Sequence, residues 1–167
     1  MTRWTLASSE TAPRVHFGPS FEPLARGPDD PRAGLPTARA IVAMRQAYRA
    51  TGGLASGDDV ARMLEDRHCG DFVRLARLIV SGELFGFDWG GTFWVPMFQF
   101  NLRDLSIKDS AQRVQAQLPA ACDGWMRAVW FARPHADLYD RPPVDLLEID
   151  LPAVLAAARA ERFIALA

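Results

Sequence analysis

A mainly α protein with one β-hairpin, a helix-turn-helix-like core followed by a helical C-terminal domain, is predicted by three features of this 167-residue sequence. Two short segments of helical periodicity, 57–66 and 72–81, are separated by Gly70 and Asp71, which offer a break and a new cap. Two aromatic, β-favouring runs follow, 84–89 and 92–100, joined by Gly90-Gly91, a pair that tolerates the positive φ of a tight hairpin turn. From residue 109 onward apolar residues recur at helical spacing between prolines that open or end helices.

The elements divide the chain into an extended Pro/Gly-rich arm (1–36), a helix-turn-helix with β-hairpin (37–105) and a helical domain (106–167). The arm holds six of the twelve prolines and few regular apolar repeats. Its Trp4, Phe17 and Phe21 suit docking, on the chain's own surface or on a partner. Thr37 caps a first helix with Ile41, Met44, Ala47 and Tyr48 on one face, stopped by Gly52-Gly53 and placed behind the helix-turn-helix. Ser56, with Asp59 three residues on, opens the next helix, in which Val60, Met63 and Leu64 repeat at helical spacing to about Asp66. Phe72, Leu75, Ala76 and Ile79 then form the inward face of the second helix, closed by Gly82. In the ribbon, Pro96 points to an edge strand.

Asp109 or Ser110 caps a helix to about Leu118, with Ala111, Val114 and Leu118 inward and Gln112, Arg113 and Gln115 mostly outward. The helix from about 123 to 133 carries Trp125, Met126, Val129, Trp130 and Phe131, enough apolar surface to be buried nearly all round, and Pro134 ends it. Pro142-Pro143 open a short helix with Leu146 and Leu147, and Asp150 caps the last one.

Composition bounds the function. Hydrophobic residues make up 49% and charged ones 23%, and no apolar run approaches the ~20 residues that cross a bilayer. No signal-like apolar core follows Met1, so the expected location is cytoplasmic, without a membrane partner. The net charge is -1. Seven arginines face four acids in 1–50, whereas 51–110 carries six basic and nine acidic residues, an acidic balance for a phosphate-binding unit. Cys69 and Cys122 show no CxxC and the histidines are scattered, so neither a metal site nor a cofactor is implied. No Gly-rich phosphate loop, GxSxG or HExxH occurs, and an enzyme is not expected.

Two surfaces carry the functional expectations. Arg74, Arg77 and Ser81 fall at i, i+3 and i+7 opposite Phe72, Leu75 and Ile79, the geometry of a DNA-recognition helix or of a solvated arginine face. The ribbon fits a wing beside a duplex, although its aromatic, cation-poor strands favour packing against helices. Ser81-Gly82-Glu83-Leu84 leading to Trp94-Val95-Pro96 resembles the helix-to-wing join of excisionase-like proteins. The aromatic load of the hairpin and of the 123–133 helix also suggests a homo-oligomer.

In the last third, Trp130-Phe131-Ala132-Arg133-Pro134, then Leu138, then Pro143-Val144-Asp145-Leu146-Leu147, resembles the signature of the C-terminal toxin-binding domain of the Xre/MbcA/ParS antitoxin family. The final helix, with Val154 and Leu155, fits the same pattern. The resemblance covers about 109–163, roughly a third of the chain. It implies a mostly helical antitoxin of a kind that often carries an N-terminal helix-turn-helix and neutralises a RES-class, NAD-consuming toxin; operator DNA is the partner expected of the Arg74 and Arg77 face. By the same resemblance, Trp130, Pro134, Leu138, Asp145 and Leu147 belong to the region that meets the toxin. Arg159 and Arg162 stand in a final helix whose end can reach a partner's cleft. The other readings are a DNA-binding regulator with no toxin partner and an interaction module that has lost DNA binding.

Overall fold

The structure, a computed structural model, describes residues 37–166. The arm with Trp4, Phe17 and Phe21 lies outside the described residues. Helix α1 (Ala38–Tyr48) starts where Ala40 N donates to Thr37 Oγ1 at 3.2 Å, and buries Ile41, Met44 and Tyr48. It tightens into a 3-10 turn and stops at Gly52, whose φ of +102° suits glycine and where a Cβ would stand 2.9 Å from Met97 Cβ.

Strand β1 (Leu54–Ser56) comes next, followed by α2 (Gly57–Asp66) and α3 (Phe72–Val80). Ser56 Oγ accepts from Asp59 N at 3.1 Å and Asp71 Oδ1 from Arg74 N at 2.9 Å, so both expected caps are formed. Strands β2 (Phe87–Trp89) and β3 (Thr92–Pro96) turn through Gly90 and Gly91, both at positive φ. The antiparallel sheet has the order β1-β3-β2, with Ala55 opposite Val95 and Asp88 opposite Phe93. The succession α1-β1-α2-α3-β2-β3 has the element order of a winged helix-turn-helix.

The sheet corrects two expectations. Strand β1 is an addition, and because it pairs with β3, Pro96 belongs to the central strand. It is tolerated at that strand's last residue, because β2 pairs no further than Trp94 and leaves β3 with a single neighbour there. The buried amide of Gln99 fills the gap. Its Oε1 accepts from Phe85 N at 3.0 Å, and its Nε2 donates to Phe85 O at 2.9 Å and Pro96 O at 3.1 Å.

The C-terminal part contains α4 (Asp109–Gln115), α5 (Gly124–Ala132), α6 (Pro143–Leu146) and α7 (Leu151–Leu166). Asp123 and Asp150 cap α5 and α7 through Met126 N at 2.7 Å and Ala153 N at 3.2 Å. Neither Asp109 nor Ser110 caps α4. Lys108 occupies the cap position, and Ser110 Oγ instead donates to Glu148 Oε1 at 2.8 Å. Gln115, expected outward, is buried, with its Nε2 on Gly82 O at 2.6 Å.

Among the described residues two apolar clusters form the core. The smaller joins α2, α3 and β3 through Val60, Leu64, Leu75, Leu84, Val95 and Phe100. The larger unites α4 to α7 with Phe85, Phe87 and Phe98 and with α1, so the clusters do not separate at residue 105. Helix α1 packs on α5, where the buried Tyr48 hydroxyl donates to Ala128 O at 2.5 Å. It does not sit behind the helix-turn-helix: Ile41, Met44 and Tyr48 belong to the larger cluster with α5 and not to the cluster of α2 and α3.

Phe98 and Phe131 approach to 4.8 Å and Phe85 and Phe131 to 5.9 Å between ring centroids. Phe85, Phe87, Trp125, Trp130 and Phe131 are all buried within one chain. Much of the aromatic load that suggested a homo-oligomer is therefore taken up within the chain, while Trp89, Phe93 and Trp94 of the hairpin stay half-buried. Among the described residues no helix is long and apolar enough to cross a membrane.

Candidate functional site

The DNA-facing expectations meet a definite local geometry on α3. Gly70, at φ +154°, lies beneath the Arg74 side chain, and a Cβ there would collide with Arg74 Cδ. Arg74 Nη1 donates back to Cys69 O, so this guanidinium staples the turn between α2 and α3. Ser81 Oγ donates to Glu83 Oε1 at 2.8 Å and lies 3.1 Å from Leu78 O. Of the three, Arg77 alone stands exposed with no side-chain hydrogen bond among the described residues. The segment 84–100 holds no lysine or arginine, so the wing brings no cation to a phosphate backbone.

What α3 presents instead is apolar. Phe72, expected inward with Leu75, is 60% exposed, and Val73 and Val80 are 61% and 89% exposed. Leu75 alone on this helix is fully buried. Helix α3 packs chiefly on α2, which buries Leu75, whereas the space between α3 and the wing tip stays open and leaves Phe72 uncovered. Between α3, the start of α2 and the wing tip opens a groove of about 460 Å³, with Phe72, Ala76, Ile79, Val80 and Phe93 along it and Asp58 at its rim.

In the C-terminal region the signature residues separate into core and surface. Trp130, Leu138 and Leu147 are buried in the larger cluster and cannot touch a partner directly. Pro134 is exposed and Asp145 half-buried. The αL conformations of Tyr139 (φ 57°) and Asp140 (φ 55°) make the turn between the two halves of the signature without a glycine.

His135 closes that turn from below. Its Nε2 lies 3.0 Å from Trp130 O, and because a carbonyl only accepts, Nε2 carries the hydrogen. Burial lowers its pKa and the nearby Arg133 charge lowers it further, against the opposing pull of the Trp130 bond and of Glu161 and Asp137. The folded histidine thus binds its proton less readily than the unfolded one, which titrates near ~6.5. Stability is full above that value and declines as pH falls below it toward the folded pKa, because the unfolded state gains the proton first. Urea titrations across that window should show the decline, and His135→Gln should flatten it.

Helix α7 is the second exposed feature. Val154, Leu155, Ala157 and Ala158 pack into the core, and Glu161 pairs with Arg133 at 3.3 Å. Arg159, Arg162 and Phe163 face outward, with Phe163 74% exposed, along one stripe at i, i+3 and i+4. Sequence reasoning missed Val73 and Val80 as surface residues and passed over Arg127. Two apolar residues off the expected core face of α3 were the available signal. No family model, curated protein or solved structure matches this chain.

Proposed function

We propose that this chain is an antitoxin that binds a RES-class, NAD-consuming toxin and blocks it through the exposed stripe of α7. The observation that carries the reading is the distal half of α7, where Arg159, Arg162 and Phe163 project from a helix whose proximal half is locked into the core. An exposed aromatic flanked by arginines has the composition of an interface anchor, and its rigid seat lowers the ordering cost of binding. The likeness of 109–163 to the antitoxin domain supplies the partner class. Trp130, Leu138 and Leu147 then act by fixing the packing of α5, α6 and α7, and Pro134, exposed, and Asp145, half-buried, stay open to the partner. Co-expression with a RES-class toxin encoded in the same operon tests the reading: the intact chain restores growth, and a folded Arg159→Glu variant restores it less.

The winged succession of elements supports a second reading, a DNA-binding regulator, with Arg77 as its one available contact on α3. The engagement of Arg74 and Ser81 and the apolar face of α3 favour a protein partner there over a phosphate backbone. A fluorescence-anisotropy titration of the intact protein against its own promoter is expected to show no saturable binding at physiological salt. Tight, salt-dependent binding that Arg77→Ala weakens by ~1–3 kcal/mol would instate the regulator.

A further inference from the structure

A cleft of about 620 Å³ opens between the end of α4, the 116–121 turn, α5 and α7, with Gly82 on the helix-turn-helix side. Its size falls within the ~300–1,000 Å³ of small-molecule sites. Arg127 and Arg162 both line it, together with Gln112, Gln115 and the apolar Leu118 and Pro119, and no lining residue is acidic.

The carboxylates nearest in sequence are engaged elsewhere. Glu83 accepts from Ser81 at 2.8 Å, Asp123 caps α5 at Met126 N, and Glu161 pairs with Arg133. Among the described residues neither Arg127 nor Arg162 has a carboxylate within ion-pair distance. Arg127 is half-buried and steadied by Nε donating to Cys122 O at 3.1 Å, a bond that leaves its terminal nitrogens for another acceptor. Two guanidinium groups at one cleft repel each other, and a dianion between them turns that repulsion into attraction.

From this arrangement we infer that the cleft binds a small phosphorylated molecule, its phosphate between Arg127 and Arg162 and its organic part against Leu118 and Pro119. A phosphate monoester carries about −1.5 to −2 charge near pH 7, matching two arginines better than a single carboxylate does. Its oxygens also fit the planar guanidinium fork. Because the walls come from Gly82, just after α3, and from α4, α5 and α7, the ligand bridges the helix-turn-helix to the C-terminal helices. Arg162 is shared with the outer stripe of α7, so occupancy competes with partner binding there. The inference stands independently of the antitoxin reading and is tested without a toxin.

The test is calorimetric and thermal-shift titration of the full chain with inorganic phosphate and with phenyl phosphate, at ionic strength matched with chloride. Saturable binding is expected, tighter for phenyl phosphate, which also uses the apolar wall. Arg162→Gln and Arg127→Gln should each weaken it about tenfold, the loss of one charge-assisted fork. Ala116→Glu, which adds a carboxylate at an exposed lining position, should abolish it, and Arg62→Gln, on α2 and paired with Asp59, should leave it unchanged. Arg162 is exposed, so its variant keeps the test decisive even where Arg127→Gln unfolds. Absence of saturable binding, or wild-type affinity in folded Arg162→Gln and Ala116→Glu, overturns the inference.

Discussion

Gly124→Ala is expected to destabilise the protein by about 3 kcal/mol or more, at the top of the range for overpacked sites. A Cβ on Gly124 would lie 1.8 Å from the carbonyl oxygen of Gly86 and 2.9 Å from its carbonyl carbon. Both atoms are backbone, so no rotamer change relieves the clash. Gly86 is equally confined, since a Cβ there would meet Phe93 Cζ at 2.5 Å and Trp94 O at 2.6 Å. Relief therefore requires α5 to move off the hairpin, opening the contact of Phe87 with Trp125, whose rings now meet edge to face at 5.3 Å. Denaturant unfolding monitored by tryptophan fluorescence checks this. A variant as stable as the parent would show that the hairpin and α5 are not rigidly joined.

Gln99→Ala is expected to cost about 3–5 kcal/mol, from backbone groups stranded in the core as well as from lost volume. The amide of Gln99 serves Phe85 N, Phe85 O and Pro96 O at once, in a place where no strand continues and water is excluded. A glutamate at 99 makes a sharper test. It retains the acceptor for Phe85 N but, when ionised, has no hydrogen for Phe85 O or Pro96 O, so it should be destabilised most at high pH. The difference in unfolding midpoint from the parent, followed as a function of pH, separates this account from simple loss of packing, which would be independent of pH.

The helical elements were legible where a cap announced them. Thr37, Ser56, Asp71 and Asp150 each stand directly before an apolar period and each receives the expected backbone N–H. Strand β1 was not legible, because three residues, the last of them already a helix cap, show no alternation. Periodicity placed Phe72 on a face with Leu75 but carried no information on whether anything covers it. Gln115 is polar and read as mostly outward, and Gln99 was not singled out at all, since nothing local signals a backbone group left over by a strand that ends early. Arg74 read as a free recognition residue for the same reason: its acceptor, Cys69 O, is exposed only by the turn itself. The C-terminal signature was visible as a pattern, and burial then divides it into residues that build the platform and residues that face outward.

Cutting the chain at Asp150 is a poor test of the α7 surface, because Val154, Leu155, Ala157 and Ala158 would leave the core with it. The most direct measurement keeps the helix and changes only its exposed stripe: titration of a purified RES-class toxin, assayed by NAD consumption, with the intact protein and with a folded Arg159→Glu, Phe163→Asp variant. The account predicts stoichiometric inhibition by the intact protein. For the variant it predicts affinity lower by about a hundredfold, the loss of an aromatic anchor together with a charge reversal. Equal inhibition by both proteins would place the toxin-binding surface elsewhere, and uninhibited NAD consumption with the intact protein would contradict the antitoxin reading itself.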